Sequence, residues 1–106
     1  MKTIEEIKNC VESNDVVLFM KGSKKMPMCG FSGTVTQILK NLSVTDYKDV
    51  NILADEELRQ NVKIFSNWPT YPQLYIKGEL IGGADIVKEL YQTGELLQLL
   101  KKNGLV

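Results

Sequence analysis

Residues 21–32 have the sequence Lys-Gly-Ser-Lys-Lys-Met-Pro-Met-Cys-Gly-Phe-Ser, and the elements on either side of this stretch decide the fold. It follows the apolar run Val16–Met20, which is too short for an isolated helix and is rich in strand-forming residues. It precedes a helical pattern over residues 33–42, in which apolar residues recur every three or four positions. The sequence therefore predicts a strand that leads through a thiol-containing loop into the N-terminus of a helix.

Cys29 lies at this predicted junction. Unpaired backbone N–H groups and the positive end of a helix dipole converge there, and both favour a thiolate over a thiol. Lys21, at the end of the strand, adds a positive charge. The second position of a redox C-x-x-C pair is occupied by Ser32, so the motif contains one sulfur. Cys29 therefore cannot form a disulfide within the motif, and its second sulfur must come from another molecule.

Composition narrows the function classes. The 106 residues are 43% hydrophobic and 25% charged, as expected for one ordinary globular domain. Thirteen basic residues balance thirteen acidic ones, which argues against nucleic-acid or anionic-membrane partners. The absence of histidine excludes Ser-His-Asp and Cys-His catalysis and histidine-based metal sites.

Two cysteines are too few for a four-thiolate metal site within one chain or for a secreted disulfide scaffold. A reducing compartment is therefore expected. The N-terminal residues show neither a signal-peptide core nor a membrane-spanning segment. We expect a cytoplasmic location, either in a bacterium or in an organelle matrix after removal of a transit peptide.

The remaining elements are predicted from caps, turns and apolar periodicity. They are a helix with a capping box at Thr3 and Glu6 that ends near Ser13, a strand around Asp46–Val50, a helix from Asp55, a β-hairpin over residues 73–81, a helix from near Asp85 to Gly94, and a short helix over residues 96–100. The order α-β-α-β-α-β-β-α-α predicts an α/β fold with a small mixed four-stranded sheet flanked by helices. Its functional edge is expected at the C-terminal end of the first strand.

Four blocks carry a resemblance to a known family: Lys21, Cys29–Ser32 (CGFS), residues 68–72 (WPTYP) and residues 82–85 (GGAD). In order and spacing they are similar to the monothiol, CGFS-type glutaredoxins over nearly the whole chain. The resemblance implies a single glutaredoxin domain over residues 1–106 and a thioredoxin-like fold. It also implies two cofactors, glutathione and a [2Fe–2S] cluster bridged between two subunits.

The same resemblance assigns roles to residues. Cys29 is implied as the reactive thiol and as the cluster ligand. The implied glutathione contacts are Lys21 and Arg59 for the glycine carboxylate, Thr70, Tyr71 and Pro72 for the cysteinyl backbone at a cis-proline turn, Gly83, Ala84 and Asp85 for the γ-glutamyl group, and also Phe31. The physical principle at residues 70–72 is backbone pairing with an extended peptide. At residues 83–85 it is carboxylate binding at a helix N-terminus.

Some of these residues also fit simpler roles. Asp85 could serve only as a helix N-cap, and Arg59 as a solvated charge on a helix. Cys10, beside the apolar face of the first helix, is expected to be buried and structural. Trp68 is expected to be an anchor of the core or of its loop. Two positions depart from the family pattern: Ala84 replaces a frequent cysteine, and Gly33 replaces a larger side chain.

Three functions compete at this point. The first is a carrier of a [2Fe–2S] cluster, in which two chains and two glutathiones each give a thiolate. Such a protein is a dimer when loaded and mostly a monomer when empty, and it exchanges the cluster with donor and recipient proteins. The second is a glutathione-dependent oxidoreductase, in which Cys29 attacks glutathionylated proteins and glutathione resolves the mixed disulfide. The third is an adaptor that docks a BolA-type protein.

Overall fold

A four-stranded mixed sheet lies at the centre of the computed structural model, which describes residues 1–106. The strands are β1 (Val16–Met20), β2 (Lys48–Asn51), β3 (Gln73–Ile76) and β4 (Glu79–Gly82), in the spatial order β2-β1-β3-β4. β2 runs parallel to β1, whereas β3 is antiparallel to both β1 and β4. The predicted mixed sheet and its hairpin are therefore confirmed.

Five α-helices surround the sheet: α1 (Ile4–Ser13), α2 (Gly30–Asn41), α3 (Glu56–Ser66), α4 (Ala84–Thr93) and α5 (Glu95–Lys102). The predicted capping box is present, because the Thr3 hydroxyl accepts from the Glu6 N–H and the Glu6 carboxylate accepts from the Thr3 N–H. Gly94 ends α4 in a left-handed conformation, as its place in the sequence predicted. None of these helices has the length and apolar character needed to span a membrane.

The central strand β1 is buried along its whole length. Alternate side chains of β1 face opposite sides of the sheet. Leu18 belongs to the apolar cluster shared with α2, α4 and α5, whereas Val17 and Phe19 belong to the cluster shared with α1 and α3. Helices thus cover both faces, and the C-terminal end of β1 is a rigid starting point for the thiol-containing loop.

Two boundaries differ from the predictions. Helix α2 begins at Gly30 rather than Gly33, because the Gly33 N–H already donates to the Cys29 carbonyl at 2.9 Å. The second strand begins two residues later than predicted and is followed by a short 3₁₀-helix, Ile52–Ala54. The side chain of Asn51 caps this turn by accepting from the Leu53 N–H at 3.0 Å. No apolar repeat marks so short a turn, so the sequence did not predict it.

Candidate functional site

Residues Lys21–Met28 form a small hairpin between β1 and α2, here called the thiol hairpin. The Met28 N–H donates to the Lys21 carbonyl at 2.9 Å, and Ser23 and Met26 exchange two backbone hydrogen bonds. Gly22 has a φ of 90°, and a Cβ atom there would lie 2.5 Å from the Met26 carbonyl oxygen, so only glycine fits. These hydrogen bonds bring Met28, the residue before Cys29, back beside Lys21.

Cys29 is the N-cap residue of α2 and is partly exposed. The backbone N–H of Ser32 is the main cause that lowers the pKa of Cys29, and the N–H of Phe31 and the charge of Lys21 lower it further. Partial burial opposes these effects but does not outweigh them. The helix start therefore favours a thiolate, as the sequence predicted.

Ser32 occupies the place where a dithiol site would have its second cysteine. Its side chain is fully buried, and its Oγ accepts from the Lys21 N–H at 3.1 Å. Ser32 thus ties the end of β1 to the first turn of α2, with Cys29 between them. The site contains one thiol and a structural hydroxyl.

A cavity of about 490 Å³ opens beside Cys29. It is lined by nine of the ten predicted site residues: Lys21, Cys29, Phe31, Arg59, Thr70, Tyr71, Gly83, Ala84 and Asp85. Pro72 does not line the cavity, but it follows the lining residue Tyr71 through a cis peptide bond. The structure therefore brings together side chains that are far apart in the sequence; their contacts with glutathione remain predictions.

Two buried N–H groups in the cavity wall have no hydrogen-bond partner: Nε of Arg59 and Nε1 of Trp68. The Arg59 guanidinium has one weak ion pair, with Glu56 at 3.6 Å, and its side chain is 36% exposed. The Tyr71 hydroxyl donates to the Arg59 backbone carbonyl at 2.6 Å, which joins α3 to the cis-proline loop. Unpaired buried donors are uncommon in folded proteins, and a bound carboxylate would give the guanidinium an acceptor.

The N-terminus of α4 forms another part of the cavity wall. Its N-cap residue is Gly83, and no side chain caps the helix, so the interpretation of Asp85 as an N-cap is wrong. Asp85 instead lies in the first turn of α4 and lines the cavity. A Cβ atom on Gly83 would lie 3.4 Å from the Pro72 carbonyl and 3.5 Å from Trp68 Nε1, so glycine lets these segments approach closely. The free N–H groups at the start of α4 can donate hydrogen bonds to an anion there.

Four cavity residues were not predicted: Lys63, Trp68, Pro69 and Ile86. Lys63 lies four positions after Arg59 on α3, so helical spacing places both on one face. The four-residue spacing from Arg59 was therefore the signal in the sequence that could have identified Lys63 as a site residue. Trp68 was expected to be an anchor, and the structure places it in the cavity wall. The sequence alone did not show that its loop turns toward Cys29.

Cys10 lies away from this cavity, on α1. It is partly rather than fully buried, and it packs against the cluster under α1 and α3. Burial raises the pKa of Cys10, which is opposite to the shift at Cys29. Nowhere does the chain gather three or more His, Cys, Asp or Glu side chains into a group that could hold a metal. Any metal bound through Cys29 therefore needs ligands from other molecules.

A mixed sheet whose first strand leads to a helix-capping thiol, facing a cis-proline turn, defines a thioredoxin-like fold with a glutaredoxin-type site. Comparison with known proteins gives the same result. The glutaredoxin family model matches residues 16–81. A probable monothiol glutaredoxin 2 of Rickettsia typhi is 60% identical over 100 residues, covering 94% of this chain and 89% of the relative. The chain therefore belongs to the glutaredoxin family, among the monothiol glutaredoxins.

Solved structures agree with this assignment. The reduced apo form of poplar GrxS14 is 53% identical, with a TM-score of 0.80 over 92% of this chain and 89% of the other. A monomeric truncated mutant of Trypanosoma brucei 1-C-Grx1 is 37% identical, with a TM-score of 0.89 over 100% of this chain and 96% of the other. The glutaredoxin fold therefore extends beyond the matched residues 16–81 to the terminal helices.

The opposite pKa shifts predict selective alkylation. We expect iodoacetamide at neutral pH to modify Cys29 well before Cys10, because only thiolates react and only the Cys29 pKa is lowered. As the pH falls, the Cys29 rate should stay high below the point at which an ordinary thiol becomes protonated. Peptide mass spectrometry over a pH series measures both rates. Equal rates at the two cysteines would contradict the geometry of the α2 N-terminus.

Proposed function

We propose that the cavity binds glutathione with its sulfur beside Cys29. The cavity walls carry three cations, Lys21, Arg59 and Lys63, and one anion, Asp85. Glutathione offers the complementary set: two carboxylates, one ammonium group and a thiol. Membership of the glutaredoxin family, whose chemistry is glutathione-linked, supports this ligand.

In the proposed pose the glycine carboxylate lies between Lys21 and Arg59. The cysteinyl backbone follows the cis-proline turn at Thr70 and Tyr71, as an added strand would. The γ-glutamyl carboxylate accepts from the free N–H groups at Gly83 and Ala84, and Asp85 accepts from the ammonium group. Phe31 covers the outer side of the sulfur. The unpaired Arg59 Nε and the uncapped α4 terminus support this orientation.

We further propose that the loaded protein carries a [2Fe–2S] cluster as cargo in iron–sulfur cluster assembly. The observation that carries this proposal is the lone, partly exposed Cys29 thiol, with a lowered pKa, in the wall of a cavity suited to glutathione. Such a cluster takes four thiolates, and each chain offers one at its site. Two chains and two glutathiones complete the set, so the donor chemistry fits.

The assembly follows from this count. A loaded form is a dimer with two glutathiones, whereas the empty chain is mostly a monomer. The whole chain, residues 1–106, acts as one glutaredoxin domain. Its partners are the proteins that donate and receive the cluster, and a BolA-type protein. Cys29 must stay reduced to act, which requires a reducing compartment such as a bacterial cytoplasm or an organelle matrix.

A second function is supported by the same thiol. Cys29 is partly exposed and its pKa is lowered, which suits attack on a glutathionylated protein. The Cys29 sulfur bonds to the glutathione sulfur while the target leaves as a thiolate, and free glutathione then displaces Cys29. Ser32 does not block this route, because no second protein thiol is needed. We place it second, since the CGFS-type loop of this chain is that of the carrier type.

We expect Cys29→Ser to abolish cluster binding without loss of the fold, because the side chain is a partly exposed N-cap group. Cys10→Ser, the matched control, should bind as wild type does. The measurement is the visible spectrum after anaerobic reconstitution with iron, sulfide and glutathione. A coloured Cys29→Ser protein, or a colourless Cys10→Ser protein, would contradict the assignment.

The loaded form should elute as a dimer in size-exclusion chromatography, and chelation should return it to a monomer, since metal binding supplies most of the association. Glutathione should be required for assembly. Reconstitution with 2-mercaptoethanol, which lacks the charged groups that Lys21, Arg59 and Asp85 select, should give little colour. A coloured monomer, or a cluster equally stable with that thiol, would rule out the bridged dimer.

Turnover in a glutathione-dependent disulfide reduction assay should be weak. The expectation rests on the CGFS-type loop and on Ser32, which supplies a buried hydrogen bond in place of a second thiol. The assay is run beside a dithiol glutaredoxin at equal concentration. Matching rates would make the oxidoreductase the main function and the carrier secondary.

A further inference from the structure

Two side chains of β2 hold the thiol hairpin from outside the cavity. The Asn51 Oδ1 accepts from the Gly22 N–H at 3.0 Å, and the Asp49 Oδ2 accepts from the Lys24 N–H at 2.9 Å. Asp49 and Asn51 are two residues apart in a strand, so they share one face of the sheet. Gly22 and Lys24 have the same spacing along the hairpin. Each of these two acceptor side chains of β2 is therefore paired with one backbone N–H of the hairpin.

Lys24 adds a third attachment, made by its side chain. Its Nζ donates to the Thr45 carbonyl at 3.1 Å and to the Tyr47 carbonyl at 2.9 Å. The ammonium group also lies 4.6 Å from the centre of the Tyr47 ring. The backbone of Lys24 is thus held by β2, and its side chain by the segment that enters β2. The tip of the hairpin is anchored on both sides.

This anchoring acts on the cavity only through the hairpin. Neither Asp49 nor Asn51 lines the cavity, whereas Lys21 and Cys29, which bracket the hairpin, both do. Gly22, held by Asn51, directly follows Lys21. The direction that the Lys21 side chain takes into the cavity therefore depends on where Gly22 and the rest of the hairpin are fixed.

We propose that Asp49 and Asn51 are positioning residues that hold the thiol hairpin so that the Lys21 ammonium reaches the glycine carboxylate of glutathione. This inference rests on the proposed function, in which Lys21 binds that carboxylate. Three attachments keep Lys21 at a fixed place beside Cys29. Without them the hairpin moves relative to β2, and the ammonium spends less time at the carboxylate.

The test compares two disulfides in exchange with Cys29, in a Cys10→Ser parent that leaves one thiol. Cys29 thiolate attacks one sulfur of glutathione disulfide, the S–S bond breaks, and one glutathione leaves as a thiolate. The second disulfide is that of glutathione monoethyl ester, whose glycine carboxylate is blocked. The ratio of the two exchange constants, measured by mass spectrometry, isolates the contribution of the carboxylate.

We expect the parent to favour glutathione, and Asp49→Ala and Asn51→Ala each to reduce this preference by about fivefold, a part of what a charge-assisted hydrogen bond contributes. Asp49→Asn, which keeps an acceptor oxygen, should retain the preference. Asp46→Ala is the matched control, because the Asp46 side chain is exposed and this substitution removes the same charge three residues from Asp49. Exchange of the Gly22 and Lys24 amide hydrogens should become faster in the two alanine variants.

Two competing explanations predict different results. General destabilisation would weaken exchange with both disulfides equally and leave the ratio unchanged. Loss of the Asp49 charge alone would favour the anionic glutathione and raise the ratio, in Asp49→Asn as well as in Asp49→Ala. If alanine at position 49 prevents folding, Asn51→Ala and the shorter-chain variant Asp49→Ser carry the same comparison.

An unchanged ratio in both alanine variants, with the parent still preferring glutathione, overturns the positioning role and leaves the proposed function standing. A parent that does not distinguish glutathione from its ester overturns the Lys21 contact and the proposed glutathione pose, and with them this inference. A ratio lowered in the alanine variants and kept in Asp49→Asn supports the inference.

Discussion

The hydrogen bond from the Lys21 N–H to the buried Ser32 Oγ is the interaction on which the rest of the site depends. It joins the end of β1 to the first turn of α2 and fixes the chain on both sides of Cys29. The N–H groups of Phe31 and Ser32 then point at the sulfur and lower its pKa. A donor that is buried without an acceptor costs up to about 1–3 kcal/mol, and the Lys21 amide is partly buried, so the Ser32 hydroxyl stabilises the fold as well as the site.

Because this hydrogen bond joins β1 to α2, both ends of the thiol hairpin are fixed. Its path needs Gly22 in a left-handed conformation, and side chains of β2 accept from its outer N–H groups. The hairpin has few apolar contacts of its own, since Met26 and Met28 are exposed. Polar attachments, not burial, therefore hold it in place. An edge strand whose side chains serve this purpose links the sheet directly to the position of Lys21.

The chemistry of the site follows from having one sulfur. With Ser32 buried and bonded, Cys29 can only share a disulfide or a metal with another molecule, and the cavity decides which molecule that is. The three cations and one anion of the cavity wall complement a ligand with two carboxylates and an ammonium group, which is the basis of the proposed glutathione binding. Both functions proposed above use this selection, so glutathione binding is the step that they share.

Local patterns in the sequence determined much of this protein. The thiol at a helix start, the capping box at Thr3, the hairpin over residues 73–81 and the stop at Gly94 each follow from short-range rules of spacing and backbone freedom. Nine of the ten predicted site residues line one cavity, but the resemblance to a family identified most of them. Without that resemblance, the sequence shows Arg59 only as a charged residue on a helix.

Only the tertiary structure decided the features that join segments distant in sequence. It placed Trp68 and Lys63 in the cavity wall, made Gly83 the N-cap in place of Asp85, and bound the thiol hairpin to β2. The physical reason is clearest for the hairpin, because its contacts with β2 are single polar pairs separated by 25 and 29 positions in sequence, Lys24 with Asp49 and Gly22 with Asn51. Such pairs leave no periodic trace in the chain, and they form only when the sheet has brought their segments together.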